Sequence, residues 1–282
     1  MSVPIALQPD QQPDRWNDHV AVYEAVFEPL TSAFAEDALD RLNLHHAAKL
    51  IDICAGSGGA ALYAAGRGLD VLAIDASPDM VSRVRSRSAS AAVGHNPPGG
   101  HVTAGCMDGT ALALADHQFD AALSSFGIVL FPDAAQGMRE IFRVLKPAGR
   151  LAIVTWTDTE HYELATRLTK AISAIRGPLP PPTSLPAQLR FRDEPAFRSL
   201  MVDAGFNVTS VARVEKSWRL PSAKWVAERI AFAPGMAAMI SSLGSDRDVV
   251  LQSFVSALET DQGRGEIALL AVAFIGIAEK PA

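Results

Sequence analysis

The sequence predicts an α/β fold in which a doubly wound, seven-stranded, mostly parallel sheet carries an N-terminal helical cap and a C-terminal helical insertion. Short apolar runs alternate with helix-like stretches between residues 49 and 156, which is typical of such a sheet. A glycine-rich turn follows the first of these apolar runs. The 282 residues are 49% hydrophobic and 20% charged, which favours a compact chain with a sizeable core over disorder.

The N-terminal part divides into two predicted regions. Residues 1–14 are polar and rich in proline and glutamine, which predicts a flexible tail. Residues 15–48 are predicted to form a helical cap, because apolar side chains recur there at three- or four-residue steps. Pro29 is expected to divide this cap into two helices. The apolar positions of the cap are Trp16, Val20, Tyr23, Phe27, Leu30 and Phe34.

The predicted core covers residues 49–156 and contains five strands that are connected by helices or loops. The regular alternation implies that these strands run parallel. The predicted strands are 49–54, 70–75, 101–107, 119–124 and 150–156, and the predicted helices are 59–66, 78–91 and 132–145.

The pattern changes after Trp156, and residues 157–282 are predicted to complete the sheet and to add helical lid insertions. The prolines of residues 177–186 oppose regular backbone hydrogen bonding and predict an exposed loop. No apolar stretch reaches the ~20 residues that a spanning helix needs, so we expect no membrane contact. Helical segments are predicted at 162–175, 194–204 and 222–260, and strands at 207–218 and 267–280.

Charge and cysteine content oppose several classes of function. A net charge of −6 opposes a general nucleic-acid binder, which needs a basic face. The two cysteines, Cys54 and Cys106, lie in predicted sheet segments, so we expect no disulfide and a reducing, cytoplasmic location. The N-terminus lacks the pattern of a signal peptide. His45 and His46 are adjacent and diverge, and no Cys/His cluster has ligand spacing, so we expect no metal site.

The stretch LIDICAGSGG, residues 50–59, reads as a strand, a tight glycine turn and a helix start. About twenty residues further on, a second apolar run ends in Asp75, where a parallel α/β fold presents a carboxylate to a ribose diol. Together they predict a nucleoside-binding half-site. Gly56, Gly58 and Ala61 also satisfy G-x-G-x-x-A, so a nicotinamide-dependent oxidoreductase is one reading of this half-site.

Each acidic residue of this pattern also has a purely structural interpretation. Asp52 can cap the glycine turn by accepting backbone N–H groups, and this role is compatible with binding. Asp75 can cap the helix that starts near Pro78. Asp108 precedes Gly109, and this pair is also a common turn dipeptide.

Residues 116–133 and 139–156 distinguish between the possible interpretations of the nucleoside half-site. With residues 50–59 and 71–80, they give the chain its resemblance, from about residue 49 to 156, to the S-adenosylmethionine (SAM) dependent methyltransferases of the seven-stranded Rossmann-like class. The family's first strand reads D-x-G-x-G-x-G, and Asp52, Cys54, Gly56 and Gly58 fill that frame, with Cys54 in place of the first glycine. The segment LKPAGRL matches the turn before the fifth strand, with Ala148 in place of a common glycine.

The resemblance implies SAM as the cofactor, S-adenosylhomocysteine as its product, and a set of cofactor contacts. It implies that Ala55 and Gly56 lie against the methionine part and that Asp75 binds the ribose hydroxyls. Met107, Asp108 and Gly109 are implied to flank adenine, with Asp108 accepting its amine. The full set of implied cofactor residues is Arg15, Trp16, Asp52, Ala55, Gly56, Gly58, Asp75, Ala76, Met80, Met107, Asp108, Gly109 and Ser124.

The acceptor side is predicted less specifically. Methyl transfer from a sulfonium needs chiefly alignment and exclusion of water, so acid–base help is optional. The candidate bases are His19, Tyr23 and His161, for which surface or packing roles are the structural alternative. The residues expected to line the acceptor pocket are Tyr23, Ser125, Phe126 and Trp156.

The order of segments after Trp156 resembles the order found in the broad group that contains quinone-ring C-methyltransferases and many natural-product methyltransferases. We therefore expect methyl transfer to an O, N or C nucleophile of a small molecule. Two further alternatives keep the SAM fold: a non-methyl reaction such as cyclisation of the aminobutyryl chain of SAM, and a non-catalytic SAM-binding protein. The oligomeric state is left open.

Overall fold

The computed structural model describes residues 6–92, 100–178 and 185–282, and they build one seven-stranded sheet with helices on both faces. The strand order is β3-β2-β1-β4-β5-β7-β6, and β7 runs antiparallel to both of its neighbours. The predicted fold class is confirmed. The strands are β1 (Lys49–Ile53), β2 (Asp70–Asp75), β3 (Val102–Cys106), β4 (Phe119–Ser125), β5 (Leu145–Trp156), β6 (Asn207–Leu220) and β7 (Ile267–Glu279).

Ten α-helices lie within the described residues, and their positions follow the predicted pattern within a few residues. Pro29 occupies the first turn of the second helix, where its missing N–H costs nothing, and the helices break at Phe27. The helices are α1 (Val20–Val26), α2 (Glu28–Leu42), α3 (Gly59–Gly66), α4 (Pro78–Ala92), α5 (Ala134–Val144), α6 (Glu163–Arg176), α7 (Glu194–Val202), α8 (Ala223–Glu228), α9 (Pro234–Ser242) and α10 (Arg247–Gln262).

The core has two layers because side chains alternate across each strand. Leu50 packs into a cluster with helices α2, α3, α6, α8 and α10, whereas its neighbour Ile51 packs on the other face with α5 and α7. On β4, Leu123 and Ala122 divide between the two clusters in the same way. The sheet is therefore covered on both faces, as a parallel sheet requires.

The chain reverses its winding direction between β1 and β4, which are hydrogen-bonded neighbours although β2 and β3 separate them in sequence. In open α/β sheets, ligands bind at such a switch point, outside the carboxyl ends of the strands. The residues that follow β1, β2 and β4 meet at this edge. The order of the strands thus brings the glycine turn, Asp75 and Ser125 to one site.

Residues 6–14 correct the expectation of a flexible tail over residues 1–14, of which residues 1–5 lie outside the described part. Pro9–Gln11 and Pro13–His19 form 3-10 helices. The buried carboxylate of Asp10 fixes this segment, because it accepts hydrogen bonds from the backbone N–H of Gly235, at 2.6 Å, and from the side-chain amide of Gln188. The polar side chains of residues 6–14 therefore include one, Asp10, that attaches this segment to the C-terminal half of the chain.

The C-terminal half adds an excursion of α8, α9 and α10 between β6 and β7. Most of the predicted proline-rich loop, residues 179–184, lies outside the described residues. No helix in the described residues is both long and apolar enough to cross a membrane. The division of the chain at residues 15, 49 and 157 stays a prediction.

Candidate functional site

A cavity of about 880 Å³ opens at the carboxyl ends of the strands. This volume is near the upper end of the ~300–1,000 Å³ range of small-molecule sites. Three parts of the chain enclose it: the ends of β1 to β5 with the turns that follow them, the N-terminal segment from Leu7 to Phe27, and residues from the C-terminal half, among them Gln188, Phe232 and Met236. The core supplies the floor, and the two flanking regions supply the roof.

The glycine turn after β1 uses backbone conformations that favour glycine. Gly56 and Gly58 have φ of +55° and +95°, and Gly58 precedes the first residue of α3. Cys54, which stands where the family has glycine, has φ of 60° and therefore carries a strain of about 1–2 kcal/mol. Ala148, the other replaced glycine, has φ of 59°. Both positions thus keep the conformation that glycine serves while carrying a side chain.

Asp75, at the end of β2, connects the glycine turn to the start of α4. Its carboxylate accepts hydrogen bonds from the backbone N–H groups of Gly56 and Ser77, each at 2.9 Å. Burial raises its pKa, and the backbone hydrogen bonds from Ser77, Gly56 and Ala76 oppose that rise. A carboxylate offers about four acceptor positions, so it can accept hydroxyl donors of a ligand as well. The capping and binding interpretations of Asp75 are compatible.

Asp52 lies behind the turn and does not line the cavity. It is 1% exposed, and its Oδ2 atom has no hydrogen-bond partner within the described residues. Burial, and then the charge of Asp75, raise the pKa of Asp52 to about 7. An ionised carboxylate in this place is costly unless a cation or a donor compensates it.

This raised pKa predicts that Asp52 contributes more to the stability of the ligand-free protein as the pH falls from 8 to 5. Over that range the folded state takes up a proton at Asp52, whereas the unfolded chain keeps an ionised aspartate down to its ordinary pKa near 4. We expect the Asp52 contribution to raise the free energy of unfolding by about 1–3 kcal/mol between these pH values. Urea denaturation at four pH values measures it, and equal pH slopes for the wild type and Asp52→Asn would contradict it.

The turn after β3 lies beside Asp75, since the backbone N–H of Met107 donates to the Asp75 carbonyl at 3.0 Å. We call the turns after β1, β2 and β3 the nucleoside side, after the ligand that the sequence predicts. Met107, Asp108 and Gly109 line the cavity, and the Asp108 Oδ1 atom accepts from the backbone N–H and the hydroxyl of Thr110, both at 2.8 Å. A Cβ atom at Gly109 would lie 2.2 Å from the Phe131 ring, so glycine permits this close approach. Asp108 therefore both stabilises the turn after β3 and lines the cavity.

Aromatic rings form the wall at the end of β5. Trp156 lies between Phe126, with ring centroids 3.9 Å apart and planes at 21°, and Tyr162, at 5.2 Å and 22°. Phe27 stacks on Trp156 at 6.0 Å and on Phe232 at 4.7 Å. We call Phe126, Trp156 and Tyr162 the aromatic stack. These rings give the cavity a largely apolar wall.

The structure brings together most of the predicted site residues but not all of them. Those lining the cavity are Trp16, Tyr23, Gly56, Asp75, Ala76, Met80, Met107, Asp108, Gly109, Ser125, Phe126 and Trp156. Those outside its lining are Arg15, His19, Asp52, Ala55, Gly58, Ser124 and His161.

Local hydrogen bonds explain several of the residues outside the lining. Arg15 is exposed and donates to the side chain of Gln12. Ser124 is buried, donates to the carbonyl of Ile53 and accepts from the N–H of Ile128. The Nδ1 atom of His19 lies 3.0 Å from the carbonyl of Ala231.

His161 lies beside Asp158 and Glu160, and their ligand atoms are within 4.8 Å of one another. Asp158 and Glu160 are exposed, and Asp158 pairs with Arg192 at 3.1 Å. Because exposed acidic groups often cluster without a metal, the prediction of no metal site stays a prediction.

Sequence reasoning missed Asp10, Phe27 and Phe232 as cavity residues, and above all Tyr162. The sequence pattern placed Phe27 on one helical face. It gave no sign that Phe27 contacts Phe232, which lies more than two hundred residues further along the chain. Tyr162 precedes α6, where a helical pattern gives no reason to select it.

The charges at the cavity are of one sign. Asp10, Asp75, Asp108 and Asp133 line it, and no lysine, arginine or histidine does so within the described residues. Acidic and aromatic groups suit a cation such as a sulfonium. The residues present therefore fit SAM: Gly56 and Asp75 would hold its amino acid and ribose, and Met107 to Gly109 its adenine.

Residues 51–153 match the family model described as a methyltransferase domain. A demethylmenaquinone methyltransferase of Corynebacterium kroppenstedtii is 36% identical over 113 residues, which are 40% of this chain and 44% of that protein. An uncharacterized protein of Mycobacterium bovis is 28% identical over 142 residues, which are 50% of this chain and 47% of that protein. The chain thus spans about half the length of the curated relatives it matches.

Solved structures agree in fold. The [4+2]-cyclase SpnF has a TM-score of 0.61 at 17% identity and covers 99% of this chain and 98% of its own. A SAM-dependent methyltransferase of Methanosarcina mazei has a TM-score of 0.54 at 18% identity, with coverages of 86% and 97%. The family model, the demethylmenaquinone methyltransferase relative and the seven-stranded sheet all indicate a methyltransferase. The domain over residues 51–153 belongs to the SAM-dependent methyltransferases, within a seven-stranded, Rossmann-like sheet of class I.

Proposed function

We propose that this protein transfers a methyl group from SAM to an O, N or C nucleophile of a small-molecule acceptor. The observation that carries the proposal is the continuity of the cavity, which joins the nucleoside side, with Gly56 and Asp75, to the aromatic stack. A cofactor bound on the first side and an acceptor bound on the second would share one enclosed volume.

When bound, SAM supplies an electrophilic methyl group that needs no further activation. The residues of this chain bind the two reactants, align them and exclude water. Buried apolar side chains such as Met80 and Phe126 favour exclusion of water.

A general base in the cavity is not required by this proposal. The hydroxyl of Tyr23 lies 3.2 Å from that of Thr31, and burial raises its pKa, so it keeps its proton at neutral pH. The other two candidate bases, His19 and His161, lie outside the lining. Alignment is therefore the main contribution that we assign to the protein.

A second candidate function follows from the likeness to the [4+2]-cyclase, whose fold covers almost the whole of this chain. The same cavity could hold SAM while the reaction occurs elsewhere in the bound acceptor, or could support cyclisation of the aminobutyryl chain of SAM. Product analysis distinguishes these reactions, because methyl transfer yields S-adenosylhomocysteine and that cyclisation yields methylthioadenosine.

Calorimetric titration of the cofactor-stripped protein tests the proposal. We expect micromolar binding of SAM and S-adenosylhomocysteine, and no binding of NADH, because four carboxylates and no cationic side chain face the described cavity. Binding of NADH without binding of either adenosyl ligand would overturn the proposal in favour of an oxidoreductase.

The proposal also includes a cytoplasmic location and no nucleic-acid partner, which the two unpaired cysteines and the net charge of −6 support.

A further inference from the structure

The glycine turn after β1 is held from the helical cap as well as from the core. Ser57, which lies between the two glycines of the turn, is fully buried. Its hydroxyl donates to the carboxylate of Glu28, the first residue of α2, and its carbonyl accepts from Arg87 of α4 at 3.0 Å. Arg87 also donates to both carboxylate oxygens of Glu28, at 2.7 and 2.8 Å. We call Glu28, Ser57 and Arg87 the turn network.

The cap also packs closely on the residues on either side of this contact. A Cβ atom added at Gly56 would lie 3.4 Å from the ring of Tyr23 in α1. A Cβ atom added at Gly59, where α3 begins, would lie 2.9 Å from the carboxyl carbon of Glu28. The absence of side chains at these two positions therefore lets α1 and α2 approach the turn.

The turn requires anchoring because its backbone lies outside the regular helix and strand conformations. Cys54, Gly56 and Gly58 have φ of +60°, +55° and +95°, and glycine reaches many other conformations at similar energy. From the core side, the Asp75 carboxylate accepts from the N–H of Gly56 at 2.9 Å. The turn network holds the next residue from the cap side, so the two carboxylates together fix the turn.

A neighbouring ion pair joins the same parts of the chain without reaching the turn. Arg83, one helical turn before Arg87 on α4, donates to both carboxylate oxygens of Glu24 on α1, at 2.5 and 2.6 Å. Glu24 lies 3.9 Å from the Nε atom of Arg87, but it has no hydrogen bond to the glycine turn in the part of the chain that the structure describes. Of these two glutamates, Glu28 is thus the one that contacts Ser57.

We propose that Glu28 is a positioning residue of the cofactor site, and that through Ser57 it fixes the glycine turn against which the amino-acid part of SAM binds. The inference rests on the proposed function, since it concerns the cofactor of that same cavity. Glu28 does not line the cavity, so it acts through the turn and not by contact with the ligand.

Two adenosyl ligands distinguish this role from a general loss of stability. S-adenosylhomocysteine carries the amino-acid part, whereas methylthioadenosine shares its adenine and ribose and lacks that part. In Glu28→Gln an NH2 group replaces an oxygen that accepts from Ser57 or Arg87. We expect the affinity for S-adenosylhomocysteine to fall by about 3–30-fold and that for methylthioadenosine to stay within about twofold. Calorimetric titration measures both affinities, at a temperature where melting curves show every variant to be folded.

Ser57→Ala removes the same contact from the other side. It leaves the ion pair of Glu28 with Arg87 in place, so we expect this variant to fold even where Glu28→Gln is strongly destabilised. The same selective loss of affinity for S-adenosylhomocysteine is expected. Because both substitutions break one contact, the double variant is expected to lose about as much affinity as the weaker-binding single variant, and not the product of the two losses.

Glu24→Gln is the matched control, because it makes the same substitution in the ion pair that does not reach the turn. We expect it to leave both affinities within about twofold. Hydrogen exchange of residues 54–62 in the ligand-free protein gives a second readout. Exchange is expected to be faster than in the wild type in Ser57→Ala and Glu28→Gln, and unchanged in Glu24→Gln.

The outcomes are distinguishable. Failure of the wild type to bind S-adenosylhomocysteine would overturn the proposed function itself. If the wild type binds it, equal losses for both ligands in Ser57→Ala, no loss for either, or an equally selective loss in Glu24→Gln would overturn the positioning role. If the wild type binds S-adenosylhomocysteine but not methylthioadenosine, hydrogen exchange decides. Unchanged exchange of residues 54–62 in Ser57→Ala would then overturn the inference, and faster exchange with weaker binding of S-adenosylhomocysteine would support it.

Discussion

Replacing Asp75 with asparagine is expected to raise the dissociation constant for SAM by about 10–100-fold, equivalent to about 1–3 kcal/mol. The Asp75 carboxylate accepts hydrogen bonds from the N–H of Gly56 in the glycine turn and from the N–H of Ser77 before α4. Its remaining lone pairs can accept hydrogen bonds from the ribose hydroxyls of the proposed cofactor. An amide removes the charge and turns an NH2 group toward one of these N–H donors. Calorimetric titration with SAM measures the loss.

Asp79→Asn is the matched control for this experiment, since it removes the same charge from an exposed position four residues away, in the first turn of α4. We expect it to leave SAM affinity within about twofold. Thermal melting of Asp75→Asn verifies that the variant is folded. If the folded variant binds SAM as tightly as the wild type, Asp75 does not contact the cofactor.

Arg87→Met is expected to lower the free energy of unfolding by about 3–5 kcal/mol, because it leaves a buried carboxylate without its cation. Glu28, at the start of α2, is only 8% exposed. Arg87 donates to both of its carboxylate oxygens, at 2.7 and 2.8 Å, and to the carbonyl of Ser57 in the glycine turn, while the Ser57 hydroxyl donates to Glu28. Urea denaturation of the ligand-free protein measures the change.

Arg67→Met provides the control, since Arg67 pairs with Asp40 at the surface, with side chains 55% and 52% exposed. We expect that variant to lose at most about 1 kcal/mol. The double variant Arg87→Met, Glu28→Met is expected to recover part of the loss, because it removes the unpaired charge as well. Equal losses for the two single arginine variants would show that the Glu28 pair is not effectively buried.

The sequence was sufficient for the alternating core because each strand and helix there is specified by its own local pattern. The apolar run of β1, the glycines that follow and the aspartate at the end of β2 are local signals, and the parallel topology brings them together. The nucleoside side of the cavity was therefore predictable from short segments.

The acceptor side was predictable only in part, since contacts between distant segments build it. Phe27 and Phe232 meet from opposite halves of the chain, and Asp10 finds its partners at Gln188 and Gly235. Ser124 and Ser125 illustrate a finer limit. Adjacent residues of a strand face opposite sides, so the Ser124 hydroxyl bonds to the backbone while the next residue, Ser125, lines the cavity.

The roof over the cavity has a consequence for how a newly synthesised chain acquires its activity. The segment around Asp10 leaves the ribosome before its partner Gly235, which follows more than two hundred residues later. Domains form from the N-terminus as synthesis proceeds, so the sheet around β1 to β4 can assemble first. A partly made chain would then hold a nucleoside half-site open to water, and closure of the roof, late in synthesis, would mark the moment at which a reactive sulfonium can be sheltered.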